Sequence, residues 1–218
     1  MHQIDIPDWA RARARNPVDG LDPGRTALIV IDMQNAFLLP DYPVGNPAAA
    51  EIIPGINRLA ASLRAAGGLV VFLQHTISDE PRFALTPWQQ RTSPLDAQGG
   101  YLLEPGKFAH NLTAALERDA GDYVVLKYRF SAFLPNSSDL HDVLQARGID
   151  TLIITGTVTN ICCESTARDG YMMGYRIIFV SDATAALTDV EHNATLLTMT
   201  TMFGSVLNVD ETIDLIAG

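Results

Sequence analysis

Three side chains able to share one hydrolytic task stand at the ends of separate apolar runs. Asp32 closes the run TALIVID at residues 26–32, and Lys127 sits near the end of DYVVLKY at 122–128. Cys162 follows TLIIT at 151–155 and the polar stretch GTVTN, where a helix is expected to start near Asn160. A thiol attacks carbonyl carbon as the thiolate, and both a helix N-terminus and a nearby ammonium favour that charged form. A carboxylate within reach takes the thiol proton and later hands it to a leaving group. Unpaired N–H groups in the first helical turn hold a developing oxyanion. Such a set suits acyl transfer from an amide or ester to water.

Each residue alone has a plainer explanation: a turn cap for Asp32, a snorkelling lysine for Lys127, a small packed residue for the cysteine. Only their joint placement sets them apart from these. Of the two adjacent cysteines, Cys162 falls in the first helical turn. Cys163 is rotated by about 100° and lines up with Ala167, Gly170 and Gly174, a small-residue stripe suited to packing on a sheet. Cys162 is therefore the candidate nucleophile.

The elements that must position these groups read as alternating strands and helices. Strands are expected at 26–32, 69–74, 122–128, 151–155, 176–181 and 205–209, and helices at 47–66, 137–147, 160–173 and 189–201. Strands this continuously apolar are buried on both faces. Repeated βα units with right-handed crossovers give a three-layer α/β/α sandwich around a mostly parallel, about six-stranded Rossmann-like sheet. Sites in such sheets lie beyond the carboxyl ends of the strands, where all three residues fall. Residues 78–108 carry four prolines and several glycines and read as a long irregular excursion. Residues 1–24 read as an N-terminal arm, a surface segment that could cross to a neighbouring subunit, and 25–218 as one domain.

Composition narrows the function. The chain has 218 residues, enough for one domain with a full core. Fifteen basic against twenty-five acidic residues give a formal charge of −10, which disfavours nucleic acid or an anionic membrane as partner. The longest apolar runs are strand-sized, far short of a membrane span. The N-terminus has no apolar signal core, and two adjacent cysteines form no disulfide framework, so a cytoplasmic protein is expected. No G-x-G-x-x-G or P-loop sequence is present, which sets aside nucleotide binding.

The stretches ALIVIDMQNAF at 27–37, KYRFSAF at 127–133 and TGTVTNICCESTARD at 155–169 together resemble the isochorismatase-like cysteine hydrolases. The resemblance covers roughly residues 24 to 210. It implies an Asp–Lys–Cys triad of Asp32, Lys127 and Cys162 and a non-proline cis peptide between Val158 and Thr159. It also implies an oxyanion hole from the N–H groups of Thr159 and Cys162, no cofactor, and assembly as a homodimer or homotetramer. A cysteine in the motif position favours C–N hydrolysis through a thioester over vinyl-ether cleavage. The nicotinamidase Asp-x-His element is missing, and the histidines (His2, His75, His110, His141, His192) show no ligand spacing, so no metal is expected.

The block 156–169 looks most like ureidoacrylate amidohydrolases and the related carbamoyl and biuret hydrolases. The expected substrate is a small amide, ureido or carbamoyl compound. Phe37, Phe133 and Trp88 are candidate pocket walls, and Asn35 and His75 candidate hydrogen-bonding partners for a carbonyl or ureido group. Arg82, Arg91 and Lys107 could each meet a substrate carboxylate. Glu164 and Arg168 read as a surface or subunit-contact pair, Asp182 as a turn cap after the fifth strand, and His192 as part of a helix cap. The competing readings are an isochorismatase-type vinyl-ether hydrolase and a non-catalytic binding module of the same fold.

Overall fold

The computed structural model describes residues 1–81 and 83–218. Its sheet comprises β1 (Thr26–Ile31), β2 (Leu69–His75), β3 (Tyr123–Lys127), β4 (Thr151–Thr157), β5 (Arg176–Ala185) and β6 (Ser205–Leu207). The strand order is β3-β2-β1-β4-β5-β6, with every pairing parallel. The main helices are α1 (Ile53–Ala65), α2 (Leu140–Ala146), α3 (Glu164–Met172), α4 (Asp189–Thr198) and α5 (Val209–Ala217).

Side chains alternate across β1, so one strand feeds two cores. Ala27, Ile29 and Ile31 pack with Leu140, Leu144, Ala167 and Leu196, under α2, α3 and α4. Leu28 and Val30 pack with Ile56, Leu59, Leu63 and Ile216, under α1 and α5. This is the three-layer sandwich expected of strands buried on both faces. Strand order reverses between β1 and β4, so the crevice at their carboxyl ends is the topological switch point.

Several boundaries differ from the sequence reading, and four differences have a visible cause. The helix expected over 47–66 is broken at Ile52 into Pro47–Glu51 and α1, because Pro54 brings no N–H and is accepted only in a first turn. β5 runs on to Ala185, its far end re-pairing with Gly156 and Thr157 after a register shift. Gly174, expected on the packed stripe, is exposed at φ +95°, where it ends α3 in a left-handed turn. The last strand stops at Leu207, and Asn208 caps α5 through a reciprocal capping box with Glu211.

The N-terminal arm lies on its own chain. The His2 ring meets Asp189 (2.7 Å), Asp5 N–H donates to Asn193 (2.8 Å) and Val18 N–H donates to Ser205 (2.7 Å). No described helix is long and apolar enough to cross a membrane.

Candidate active site

The switch-point crevice collects four side chains from four strand ends. Parallel register sets His75, the last residue of β2, opposite Lys127, the last of β3. β1 ends one residue before Asp32, whose φ of +53° puts it in the left-handed region that non-glycine residues seldom occupy. Its N–H donates to Leu73 O at 3.1 Å, so β2 holds that turn. β4 leads through Gly156 and Thr157 into a wide π-type turn, Thr159–Cys163, that carries Cys162 into α3. Gly156 is required: its φ is +108°, and a Cβ there would run into the Ile31 backbone.

Lys127 is fully buried and its Nζ sits at the centre of the group. It lies 2.8 Å from Asp32 Oδ2, 3.0 Å from His75 Nδ1, 3.1 Å from Arg129 O and 3.5 Å from Cys162 Sγ. An ammonium has three hydrogens. Asp32, His75, the Arg129 carbonyl and the thiol share them, with Asp32 held by charge as well. Asp32 is 1% exposed, and Lys127 and Cys162 are the side chains that face its carboxylate. A buried carboxylate that faces both a thiol and an ammonium is placed to exchange a proton with the thiol.

The electrostatics follow from burial. Burial raises the Asp32 pKa, with the Lys127 charge opposing. Burial also pushes the Cys162 thiol up, joined by the Asp32 charge and countered by Lys127. Burial works against the Lys127 ammonium, yet the Asp32 carboxylate and Cys162 outweigh it and hold the amine charged. Burial and then the Lys127 charge lower His75 well below the ordinary imidazole range. The resting cluster is therefore thiol, carboxylate, ammonium and neutral imidazole, with His75 Nδ1 accepting from Lys127.

Ligand atoms of Asp32, His75 and Cys162 lie within 4.8 Å of one another, a spacing that would suit a cation. The ammonium of Lys127 already stands among them, so a resident positive charge is built into the chain. Sequence spacing could not disclose this group, because its members come from three different strand ends.

The crevice opens into a cavity of about 870 Å³ bordered by Phe37, His75, Trp88 and Cys162 among others. Two expected contacts are corrected. Asn35 does not border the cavity; its side chain donates to Phe108 O (2.9 Å) and its N–H to Asn111 O (2.9 Å), tying the β1 turn to the end of the excursion. Phe133 is buried against Gly170 and Tyr175 (ring centroids 5.4 Å apart), because the chain turns inward after Phe130; Phe130 and Leu134 border the cavity in its place.

The cis peptide lies between Thr157 and Val158, one bond earlier than expected. The helical turn opens at Thr159 and Val158 is its extended N-cap, so the whole feature sits one residue upstream. Val158 O accepts from Ile161 (3.1 Å) and Cys163 (3.3 Å), passing over Cys162 N–H. Cys163 itself is fully buried, its Sγ 3.9 Å from Thr155 O.

Three roles escaped the sequence reading. Gln34 is fully buried and clamps His75: its amide donates to His75 O (3.0 Å) and His110 O (2.7 Å) and accepts from His75 N–H (2.8 Å). His192 lies inside α4, fully buried, instead of in a cap. Its Nε2 meets Ser181 O (2.9 Å) and must carry the proton, so Nδ1 accepts from the Thr159 hydroxyl (3.0 Å). The His2 ring stacks on it at 4.3 Å. Glu164 and Arg168 pair at 2.6 Å, as their spacing predicts, but Arg168 borders the cavity and Glu164 also accepts from Thr195 (2.5 Å).

Of the candidate carboxylate partners, Lys107 is held by Asp96 and Glu104 (both 2.7 Å), and Arg91 lies over the Trp88 ring. Arg82 lies outside the described residues. Asp182 is inside β5, and its carboxylate accepts from Val209 N–H (2.8 Å) to anchor α5.

A switch-point cysteine with an aspartate and a lysine on a six-stranded parallel sheet defines a class of α/β hydrolases. The model of the isochorismatase domain matches residues 26–211, and the chain belongs to that family. It is 35% identical to the ureidoacrylate amidohydrolase RutB of Pseudomonas savastanoi pv. phaseolicola, covering 95% of this chain and 91% of that one. A crystal structure of a cysteine hydrolase from Pseudomonas syringae pv. phaseolicola 1448A superposes with a TM-score of 0.81, at 33% identity, over 94% of this chain and 96% of that one. N-carbamoylsarcosine amidase from Thermoplasma acidophilum gives a TM-score of 0.69, at 27% identity, over 85% and 97% of the two chains.

Proposed function

We propose that this protein hydrolyses the C–N bond of a small amide, ureido or carbamoyl compound through a Cys162 thioester. The buried Asp32 carboxylate, facing a protonated thiol and a fixed ammonium, carries the reading. The relatives named as ureidoacrylate amidohydrolase and N-carbamoylsarcosine amidase support the bond type.

Asp32 takes the Sγ proton as sulfur attacks the carbonyl carbon. The oxyanion is received by backbone N–H groups at the opening of the π-type turn, that of Cys162 among them. Asp32, its pKa raised by burial, gives the proton to the departing nitrogen as the C–N bond breaks. Water then adds to the thioester with Asp32 as base, and the acid leaves as the thiol is restored. Lys127 keeps the cluster's charge balanced throughout and fixes Asp32, His75 and Cys162 around one point.

Residues 1–24 act as an arm on a catalytic domain of 25–218, a division supported by the family match over 26–211. A reducing cytoplasm suits a buried, unpaired thiol. Assembly as a homodimer or homotetramer belongs to the same reading and is measured by light scattering.

The test is ammonia release from ureidoacrylate, biuret, N-carbamoyl amino acids, nicotinamide and maleamate, with Cys162→Ser as control and intact-mass detection of the acyl-enzyme. Ammonia from one group, abolished in the control, is the expected result. Undiminished turnover by the control, as a vinyl-ether type of chemistry would give, overturns it.

A further inference from the structure

Resting on the thiol-amidase reading, we propose that the substrate is a neutral amide with an extended apolar end, not one ending in a carboxylate. The cavity beyond Cys162 is about 870 Å³, within the range of pockets that hold ligands of drug size and far beyond the needs of a bare ureido group. Its walls include Phe37, Leu85, Trp88, Phe130, Leu134 and Ile161. Trp88, Phe130 and Leu134 are 76%, 56% and 47% exposed. Apolar side chains gathered in this way around the mouth of a reactive site are surface that a ligand covers. Cys162 and His75 border the same cavity, so its occupant is the molecule undergoing reaction.

Charge points the same way. Among the described residues, two bordering cations are already engaged. Arg168 is paired with Glu164 at 2.6 Å. Arg129 donates through Nη1 to Tyr128 O (2.6 Å) and Phe83 O (3.1 Å), and through Nη2 to Ala84 O (3.3 Å). Arg129 keeps its charge, and Asp169, which also borders the cavity and has no ion pair among the described residues, offsets it, so the bordering charges balance. A carboxylate entering here would lose hydration among apolar walls and find no net positive charge in return. A methylene would gain, by about three- to fourfold in affinity when fully buried.

The test is kcat/KM for straight-chain primary amides of increasing length, each beside its ω-carboxylate of equal length, with ureidoacrylate in the same panel. Neutral amides should gain about threefold per methylene over the first several carbons. They should exceed their carboxylate partners at least tenfold. Leu134→Lys should narrow that gap by about tenfold, because it sets a cation at the mouth without touching the strand-end cluster.

Preferred turnover of ureidoacrylate or the ω-carboxylates, lost in Cys162→Ser, overturns the apolar substrate while keeping the thiol hydrolase. A response flat in chain length, as when a second copy of the chain fills the mouth, also overturns it. No Cys162-dependent ammonia from any compound overturns both readings.

Discussion

The strand-end cluster and the excursion over 78–108 face each other across one cavity and are built in opposite ways. Asp32, His75, Lys127 and Cys162 are at most 8% exposed and hang from strand ends fixed by parallel register. Their geometry is set by backbone pairing across the whole sheet. The excursion holds one four-residue helix, Pro87–Gln90, capped reciprocally by Thr86 and Gln89. It is fastened to the body by a few buried residues, Leu102 and Leu103 among them, packed with Ala36 and Ile77. Its Trp88 stands largely in solvent. The difference teaches where each property is stored: reactivity in the part that cannot move without breaking the sheet, selectivity in a loop that can change without unfolding it. Changes in the cluster should therefore act on kcat or on stability, and changes in the excursion on KM.

The largest expected effect is at the thiol. Cys162→Ser and Asp32→Asn should each lower kcat by about 10³-fold or more, as removal of a working triad member does. A smaller loss in steady-state ammonia release would break the contrast at its strong end.

Lys127→Met leaves Asp32 buried without its counter-ion. Breaking a buried pair costs about 3–5 kcal/mol, so urea unfolding should show a loss of that size. Trp88→Ala, on the excursion, should change the midpoint little.

Two pH dependences separate activity from stability. Burial raises Asp32, so the acid limb of kcat/KM should lie above the ordinary aspartate range, with activity lost as pH falls through the raised value. His192 is lowered to about 4 by burial, with the His2 charge adding to it. The unfolded state therefore binds the proton first. Stability from the neutral ring is complete above about pH 6.5 and is lost as pH falls toward 4, a change on the order of 3 kcal/mol. Thermal unfolding against pH should show this slope, and His192→Asn should flatten it.

Thr159→Val removes only the hydroxyl that holds His192. The oxyanion turn should loosen, and kcat should fall about 10- to 100-fold with KM little changed, on the scale of an oxyanion donor lost or misplaced. Thr159→Ser should restore it, which a purely steric role would not predict. The smallest effect belongs to the excursion: Trp88→Ala should raise KM by about tenfold, the value of one large apolar contact, and leave kcat and the unfolding midpoint in place. A fall in kcat instead would move Trp88 into the reactive part of the molecule.

The amino-acid sequence determined the sheet and the polar residues that its strand ends bring together. Its β-branched runs bounded by glycine and polar residues are strands whatever surrounds them. Asp32, Lys127 and Cys162 could be named because each sits at or beyond the end of such a run, and strand ends of a parallel sheet converge. The helix phase alone told Cys162 from Cys163, since a rotation of about 100° per residue is a local property. Long-range contacts decided the rest. Asn35 and Phe133 have the right composition for a pocket, but a carbonyl at Phe108 and a gap over Gly170 took them elsewhere. Gln34 and His192 gave no local signal, because their partners lie 41 and 33 residues away. The bend before Cys162 fell one residue early for the same reason. Where a turn begins depends on what the neighbouring strand and α4 can hydrogen-bond, and only the folded chain brings those groups together.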